Sequence, residues 1–413
     1  MLEYIRSHAL ALPPLAKFAL GMVMILGIPP LLRRVRLPTV VALLLSGVVA
    51  GPHMLDIFGE QRPIAEFLAD VGMLLAMFVT GLRIDLAHVR QAQRRAILFG
   101  LSTCSLPFLL GTAVSLAFGY GLIPAIVVGT LLASHTLLGS RIVAELGASR
   151  LEPVTVTIGA TLLSDTLSLV VFAICVSTYE RGFSMAELTV QLMEMAIVVL
   201  LILWGLSRVG AYALQQVEDD EDASFVLMFG IMAAAGVLGQ AVNLPGITAA
   251  FLAGLAVNAA AHGKPVTEKL AFFGNAFFIP IFFVVTGFLI DPTAFVRSLH
   301  DNFALVAAMI GALVAGKYLA AELAGLAFTY TSATRLTMWS LTLPQVATTL
   351  AAALVAFNTY DPVGQRLIDR RLLDVVLALM CTTAMLGPVL TQHFAPRMLD
   401  ESSAEEALNG RRG

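Results

Sequence analysis

Asp165 lies within IGATLLSDTLSLVVFAI, an apolar run with no basic residue within a helical turn of the acid. A carboxylate at the centre of a membrane helix costs about 3 kcal/mol on insertion scales, and residues that carry such a cost are usually functional. An acid placed there offers one anionic position for which a proton and a small cation compete, the minimum requirement for exchange. The competing reading is a structural Asp paired permanently with a neighbouring helix. Lys317, in LVAAMIGALVAGKYLAAELAG, sits too deep in its run for its side chain to reach either surface easily. It needs a carboxylate or a cavity. Asp165 is the expected partner, and Glu322, five residues further on, is the alternative.

Two apolar runs are interrupted by polar residues. Ser134, His135 and Thr136 stand in the middle of 122–147, and Thr342, Pro344 and Gln345 near the middle of 333–360. Pro344 withdraws a backbone donor and breaks a helix there. It follows Ser134 by 210 residues, close to the step of about 207 that separates similar segments along the chain. Interrupted helices at corresponding places in two halves point to a transport site, because their ends supply dipoles and free carbonyls. Singly, such residues often only pack. His135 either titrates beside an ion path, tuning activity with pH, or is simply hydrogen-bonded within the bundle. Asp70 and Asp374 are weaker candidates. Asp374 lies near the end of its run, where charge is cheap, and reads as structural. Asp85 and Asp291 close their helices as caps.

Hydrophobic residues make up 58% of the 413, charged residues 13%, and mean hydropathy is +0.87. Soluble domains carry about a quarter charged residues, so this chain belongs in a bilayer. A net charge of −3 offers no basic field to nucleic acid. Cys104, Cys175 and Cys381 fall in apolar stretches and read as small core residues, neither disulfides nor zinc ligands. No cofactor is expected. The N-terminus lacks the short apolar stretch and cleavage site of a signal peptide.

A span takes roughly 20 mostly apolar residues. Thirteen stretches qualify: 15–34, 38–52, 65–85, 96–119, 122–147, 152–178, 186–217, 223–243, 246–261, 270–291, 302–330, 333–360 and 372–394. They group as a six-helix unit over 1–178, a connecting helix at 186–217, a second unit over 223–394 and a short polar tail at 395–413. The two units repeat. FALGMVMILGIPPLLRRVRLP from Phe18 returns as FVLMFGIMAAAGVLGQAVNLP from Phe225, pairing Leu37-Pro38 with Leu244-Pro245 and Gly47 with Gly254. Val79-Thr80-Gly81 returns as Val285-Thr286-Gly287. Seven spans separate the two starts, so the second copy enters the membrane upside down, an inverted repeat. Arg33, Arg34, Arg36, Arg83, Arg90, Arg94 and Arg95 gather on one side, which places the N-terminus outside and the C-terminus in the cytoplasm.

With these residues in view, the chain resembles the monovalent cation:proton antiporter-2 family over residues 10–395. The resemblance is carried by the thirteen-span inverted plan, LLSDTLSLVV around Asp165, AGKYLAAEL around Lys317, VTGFLID at 285–291 and LTLPQVATTLAAAL at 341–354. It implies an all-α polytopic membrane protein and a homodimer. A core domain would hold two crossing broken helices beside Asp165, and a dimerisation domain would stay fixed while the core moves. Lys317 would balance the unoccupied site. Two departures stand out: Ser164 occupies the place before the aspartate where family members often carry Asp, Asn or Gln, and His135 replaces a small polar residue.

The expected function is therefore exchange of a monovalent cation for protons across the cytoplasmic membrane, with sodium slightly ahead of potassium. Asp165 would bind the ion, Ser134, Thr136, Ser164 and nearby carbonyls would complete its shell, and no enzymatic activity is expected. The first alternative is a sodium-coupled organic-anion symporter in which Lys317 neutralises the substrate. The second, an intramembrane aspartyl protease using Asp165 and Asp374, lacks the glycine-flanked aspartates of that chemistry and two carboxylates sharing one site.

Overall fold

The computed structural model describes residues 12–33, 38–83, 86–181, 185–217, 220–242, 244, 246–261 and 264–409, almost wholly as helix. Asp85, Arg34, Arg36 and Pro245 lie outside the described residues. Among those described, nine helices are long and apolar enough to cross a membrane. Four shorter apolar helices accompany them: Thr39–Ala50, Leu122–Ala133, Gly246–Ala261 and Thr348–Asn358. They fall on the predicted stretches 38–52, 122–147, 246–261 and 333–360. The second and fourth of those stretches are broken in the middle.

Several boundaries differ from expectation for local reasons. The helix expected at 96 begins at Leu86, its first turns being polar. The segment expected as a polar tail instead continues the Arg370–Asn409 helix, because charged residues beyond an apolar run extend a helix into water without penalty. Asp291 caps a separate short helix, Pro292–Asp301, accepting from the backbone N–H of Thr293 at 2.8 Å and of Ala294 at 3.1 Å.

Compactness does not divide the chain at the connecting helix. One unit comprises 1–28, 43–88 and 184–288, the other 29–42, 89–183 and 289–413, so each draws on both sequence halves. In the first unit, glycines let backbones touch. A Cβ on Gly47 would stand 1.9 Å from the Val284 carbonyl oxygen, and one on Gly287 2.2 Å from that of Leu44. The same arrangement recurs elsewhere in the unit. A Cβ on Gly254 would lie 2.2 Å from the Phe78 oxygen, and one on Gly81 2.4 Å from that of Phe251. These are the repeat-matched glycines, used as small residues are used wherever membrane helices pack closely. Asn258 Nδ2 donates to the carbonyls of Gly81 at 3.0 Å and Leu82 at 2.8 Å, covering the end of the Arg62–Arg83 helix.

The second unit gathers the Leu86–Ala117, Glu152–Arg181, Phe303–Phe328 and Arg370–Asn409 helices around the two broken ones. Its apolar core includes Val128, Leu131, Leu313, Val375 and Leu379. Gly316 permits a close backbone approach: a Cβ there would stand 2.8 Å from the Cα of Pro107. That contact brings Lys317, the next residue, to the one turn of the Leu86–Ala117 helix that a proline has deprived of a donor.

Candidate functional site

The helix starting at Leu122 ends at Ala133, is interrupted over 134–139 and resumes at Ser140. The helix starting at Ser332 ends at Leu341, and its continuation begins at Ala347. The two breaks lie against each other. Thr136 donates its backbone N–H to the Pro344 carbonyl at 2.8 Å, and Gln345 Nε2 donates to the carbonyls of Ser134 and, at 3.3 Å, Leu132. Gln345 in turn gives its own N–H to Thr383 Oγ1 at 3.1 Å. Pro344, lacking an N–H, needs no such partner and packs over Gly387, where a Cβ would lie 2.4 Å from the proline ring. Thr342 donates its hydroxyl to the Trp339 carbonyl at 2.9 Å, closing its half-helix.

Asp165 stands beside the first break, 2% exposed. Its Oδ1 accepts from Ser134 Oγ at 2.8 Å and from the His135 backbone N–H at 3.1 Å. Both bonds fall on Oδ1, so among the described residues Oδ2 is free for another ligand. Among the described residues, the hydroxyl of Thr136 is buried without a hydrogen-bond partner. Ser164 is not brought to the carboxylate. Its hydroxyl donates to the Thr161 carbonyl at 3.0 Å and lies 3.4 Å from His135 Nδ1.

Lys317 is fully buried, yet it makes no ion pair with Asp165. Its Nζ donates to the Thr103 carbonyl at 2.9 Å, the Ala133 carbonyl at 2.7 Å and His135 Nδ1 at 3.1 Å. Thr103 is the residue four before Pro107, so its carbonyl has lost its helical donor. Ala133 ends a half-helix whose terminal carbonyls carry partial negative charge. An ammonium can therefore be held here by dipoles, where the sequence pointed to a carboxylate. The other expected partner, Glu322, is taken by Arg335 at 2.5 Å. Asp374 pairs with Arg370 at 3.2 Å and does not join Asp165.

His135 is buried and uses three atoms. Its backbone N–H meets Asp165, Nε2 lies 2.8 Å from Thr161 Oγ1, and Nδ1 faces Lys317. The sequence reading did not single out Thr161. Its signal is the buried polar stripe Thr157, Thr161, Ser164, Asp165 and Ser168 at helical spacing. Asp70 sits on an exposed part of the Arg62–Arg83 helix in the other unit.

Residues 21–395 match the family model described as sodium/hydrogen exchanger, transmembrane. The chain belongs to that family. It is 40% identical over 385 residues to the Na(+)/H(+) antiporter NhaS5 of Synechocystis, covering 93% of this chain and 55% of that protein. This sodium/hydrogen exchanger chain thus spans about half the length of that relative. It is 24% identical over 373 residues to the probable Na(+)/H(+) antiporter 3 of Methanocaldococcus jannaschii, covering 89% and 92% of the two chains. The fold is similar to that of the sodium proton antiporter MjNhaP1 from the same archaeon. The TM-score is 0.70 at 14% identity, with 94% of this chain and 98% of that one covered. The protein is accordingly an all-helical, multi-pass membrane protein of the exchanger family.

Proposed function

We propose that this chain exchanges sodium for protons by alternating access around Asp165. The observation that carries the reading is one buried carboxylate, held by Oδ1 against a broken helix whose Thr136 hydroxyl is buried and, among the described residues, unpartnered. Deprotonated, Asp165 presents Oδ2 to a cation whose shell Thr136, Ser134 and carbonyls of the break complete. Protonation of Asp165 displaces the cation, so one anionic position serves the two ions in turn. Ser164 acts at one remove, on the His135 side of the site. Lys317 supplies the compensating charge when the cation leaves. Thirteen spans in two inverted halves, a homodimer, and a cytoplasmic-membrane setting with the N-terminus outside complete the proposal. The recurring glycine contacts support the repeat. Potassium remains the second cation to be tested. An organic-anion symporter is disfavoured because all three N–H donors of Lys317 are already engaged.

The test reconstitutes wild type and Asp165→Asn in proteoliposomes with a pH-sensitive dye, adding Na+, Li+ or K+ across a proton gradient. Sodium-dependent proton movement in the wild type, lost in the variant, is expected. Equal exchange by Asp165→Asn would refute the assignment of the carboxylate.

A further inference from the structure

We propose that His135 is a positioning residue for this exchange, its neutral imidazole offering Nδ1 as the acceptor that holds Lys317 away from Asp165 while the cation is bound. The proposal rests on the antiport reading and adds a function for the residue that touches both charged groups of the site.

The hydrogen-bond pattern settles which ring nitrogen carries the proton. Thr161 spends its hydroxyl hydrogen on the Thr157 carbonyl at 2.9 Å, so toward His135 Nε2, 2.8 Å away, its oxygen can only accept. The ring proton is therefore on Nε2. Ser164 spends its hydrogen on the Thr161 carbonyl at 3.0 Å and has none for Nδ1. That leaves Lys317, at 3.1 Å, as the donor to a bare Nδ1. A second ring proton would point at the ammonium and cannot be accommodated in this arrangement.

One residue thus holds both charges of the site apart. The main chain of His135 binds the carboxylate, and its side chain binds the ammonium. The other two donors of Lys317 go to carbonyls orphaned by Pro107 and by the helix end at Ala133. With three acceptors, the ammonium is saturated and has no unmet bond to satisfy at Asp165. Without Nδ1, one N–H is left unpaired in a dry site, and the strongest acceptor it can seek is the carboxylate that the cation also needs. Lys317 then becomes a competitor of the cation.

The experiment measures sodium-dependent proton flux in proteoliposomes for wild type, His135→Leu, His135→Asn and His135→Gln, each checked for a monodisperse elution profile. A hydrogen bond from a charged group contributes about 1.5–3 kcal/mol, and each 1.4 kcal/mol is about tenfold. His135→Leu should therefore raise the half-saturating sodium concentration about 10- to 100-fold, with the maximal rate within about threefold of wild type. The side-chain oxygen of Asn falls close to the place of Nδ1, so His135→Asn should restore half-saturation to within about threefold. Gln carries its oxygen one methylene further out and should resemble Leu. If the leucine variant does not fold, the Asn and Gln pair decides by the same criterion. A fall in maximal rate with unchanged half-saturation, or equal behaviour of Asn and Gln, would overturn the proposal. Absence of sodium-dependent flux in the wild type would overturn the antiport reading instead.

Discussion

Replacing Gln345 with leucine keeps the volume of the side chain and removes every polar atom it places in the break. Gln345 is fully buried. Its Nε2 covers the carbonyls of Ser134 and Leu132, and its Oε1 accepts from Thr349 Oγ1. Each buried polar group left without a partner costs about 1–3 kcal/mol. The bond to Leu132, at 3.3 Å, falls at the lower end of that range. Three abandoned groups together should cost about 3–7 kcal/mol, a large part of the roughly 5–15 kcal/mol that stabilises a typical protein. Thr349→Val is the control, since it removes one hydroxyl and leaves both N–H donors of Gln345 in place; it should cost about 1 kcal/mol. Unfolding by SDS in mixed micelles can be followed through Trp339, three residues before the break of its helix at Thr342 and bonded through Nε1 to the Val314 carbonyl at 3.1 Å. Trp204, the other tryptophan, is exposed and is removed by Trp204→Phe in all samples. If Gln345→Leu matched Thr349→Val, the carbonyls of the break would be satisfied by water, and the accounting of its peptide groups would be wrong.

Lys317→Leu should destabilise the second unit by about 2–4 kcal/mol by baring the carbonyls of Thr103 and Ala133. Pro107→Ala returns the missing N–H to Thr103, so in a double-mutant cycle by the same unfolding assay the two should couple by about 1 kcal/mol, and simple additivity would count against this role. Gly47→Ala and Gly254→Ala each drive a methyl into a backbone carbonyl and should cost at least about 1–3 kcal/mol, read as loss of folded protein after mild heating. Gly311→Ala meets open space and should be tolerated in the same heating test. Gly325→Ala is the intermediate case: its Cβ would lie 1.9 Å from Cδ of Arg335, a flexible stem. It should cost less than Gly47→Ala while breaking the Arg335–Glu322 pair, a loss that charge-reversal of both partners would not worsen.

The parts of this site written in side chains were legible in the sequence. Asp165 and Lys317 showed themselves as charges in apolar runs, and Pro344 marked one break, while the other, around Ser134, carries no proline at all. The parts written in backbone were not. A carbonyl freed at Thr103 has no letter of its own, although Pro107, four residues on, announces it to a reader who asks where each peptide group finds its partner. The expectation placed Lys317 near Asp165 and did not foresee that backbone carbonyls and His135 would take its three donors. Thr383 and Thr161, which hold Gln345 and His135, lie far away in sequence or among many similar threonines. Polarity after residue 395 marks the end of the apolar run but does not mark the end of the helix. The compact units were also hidden, because each is assembled from segments distant in linear order.

The glycine contacts carry a consequence for how such a chain comes into being. Gly47 rests on residues 284–287 and Gly254 on residues 78–81, so each contact joins one half of the chain to the other. Neither half holds either of these two contacts by itself. A ribosome that has finished the first half has made only one face of each seam, and those faces stay bare until the second half is inserted. If the gene is cut within the connecting helix, the two fragments should each be short-lived when made alone and persist when made together.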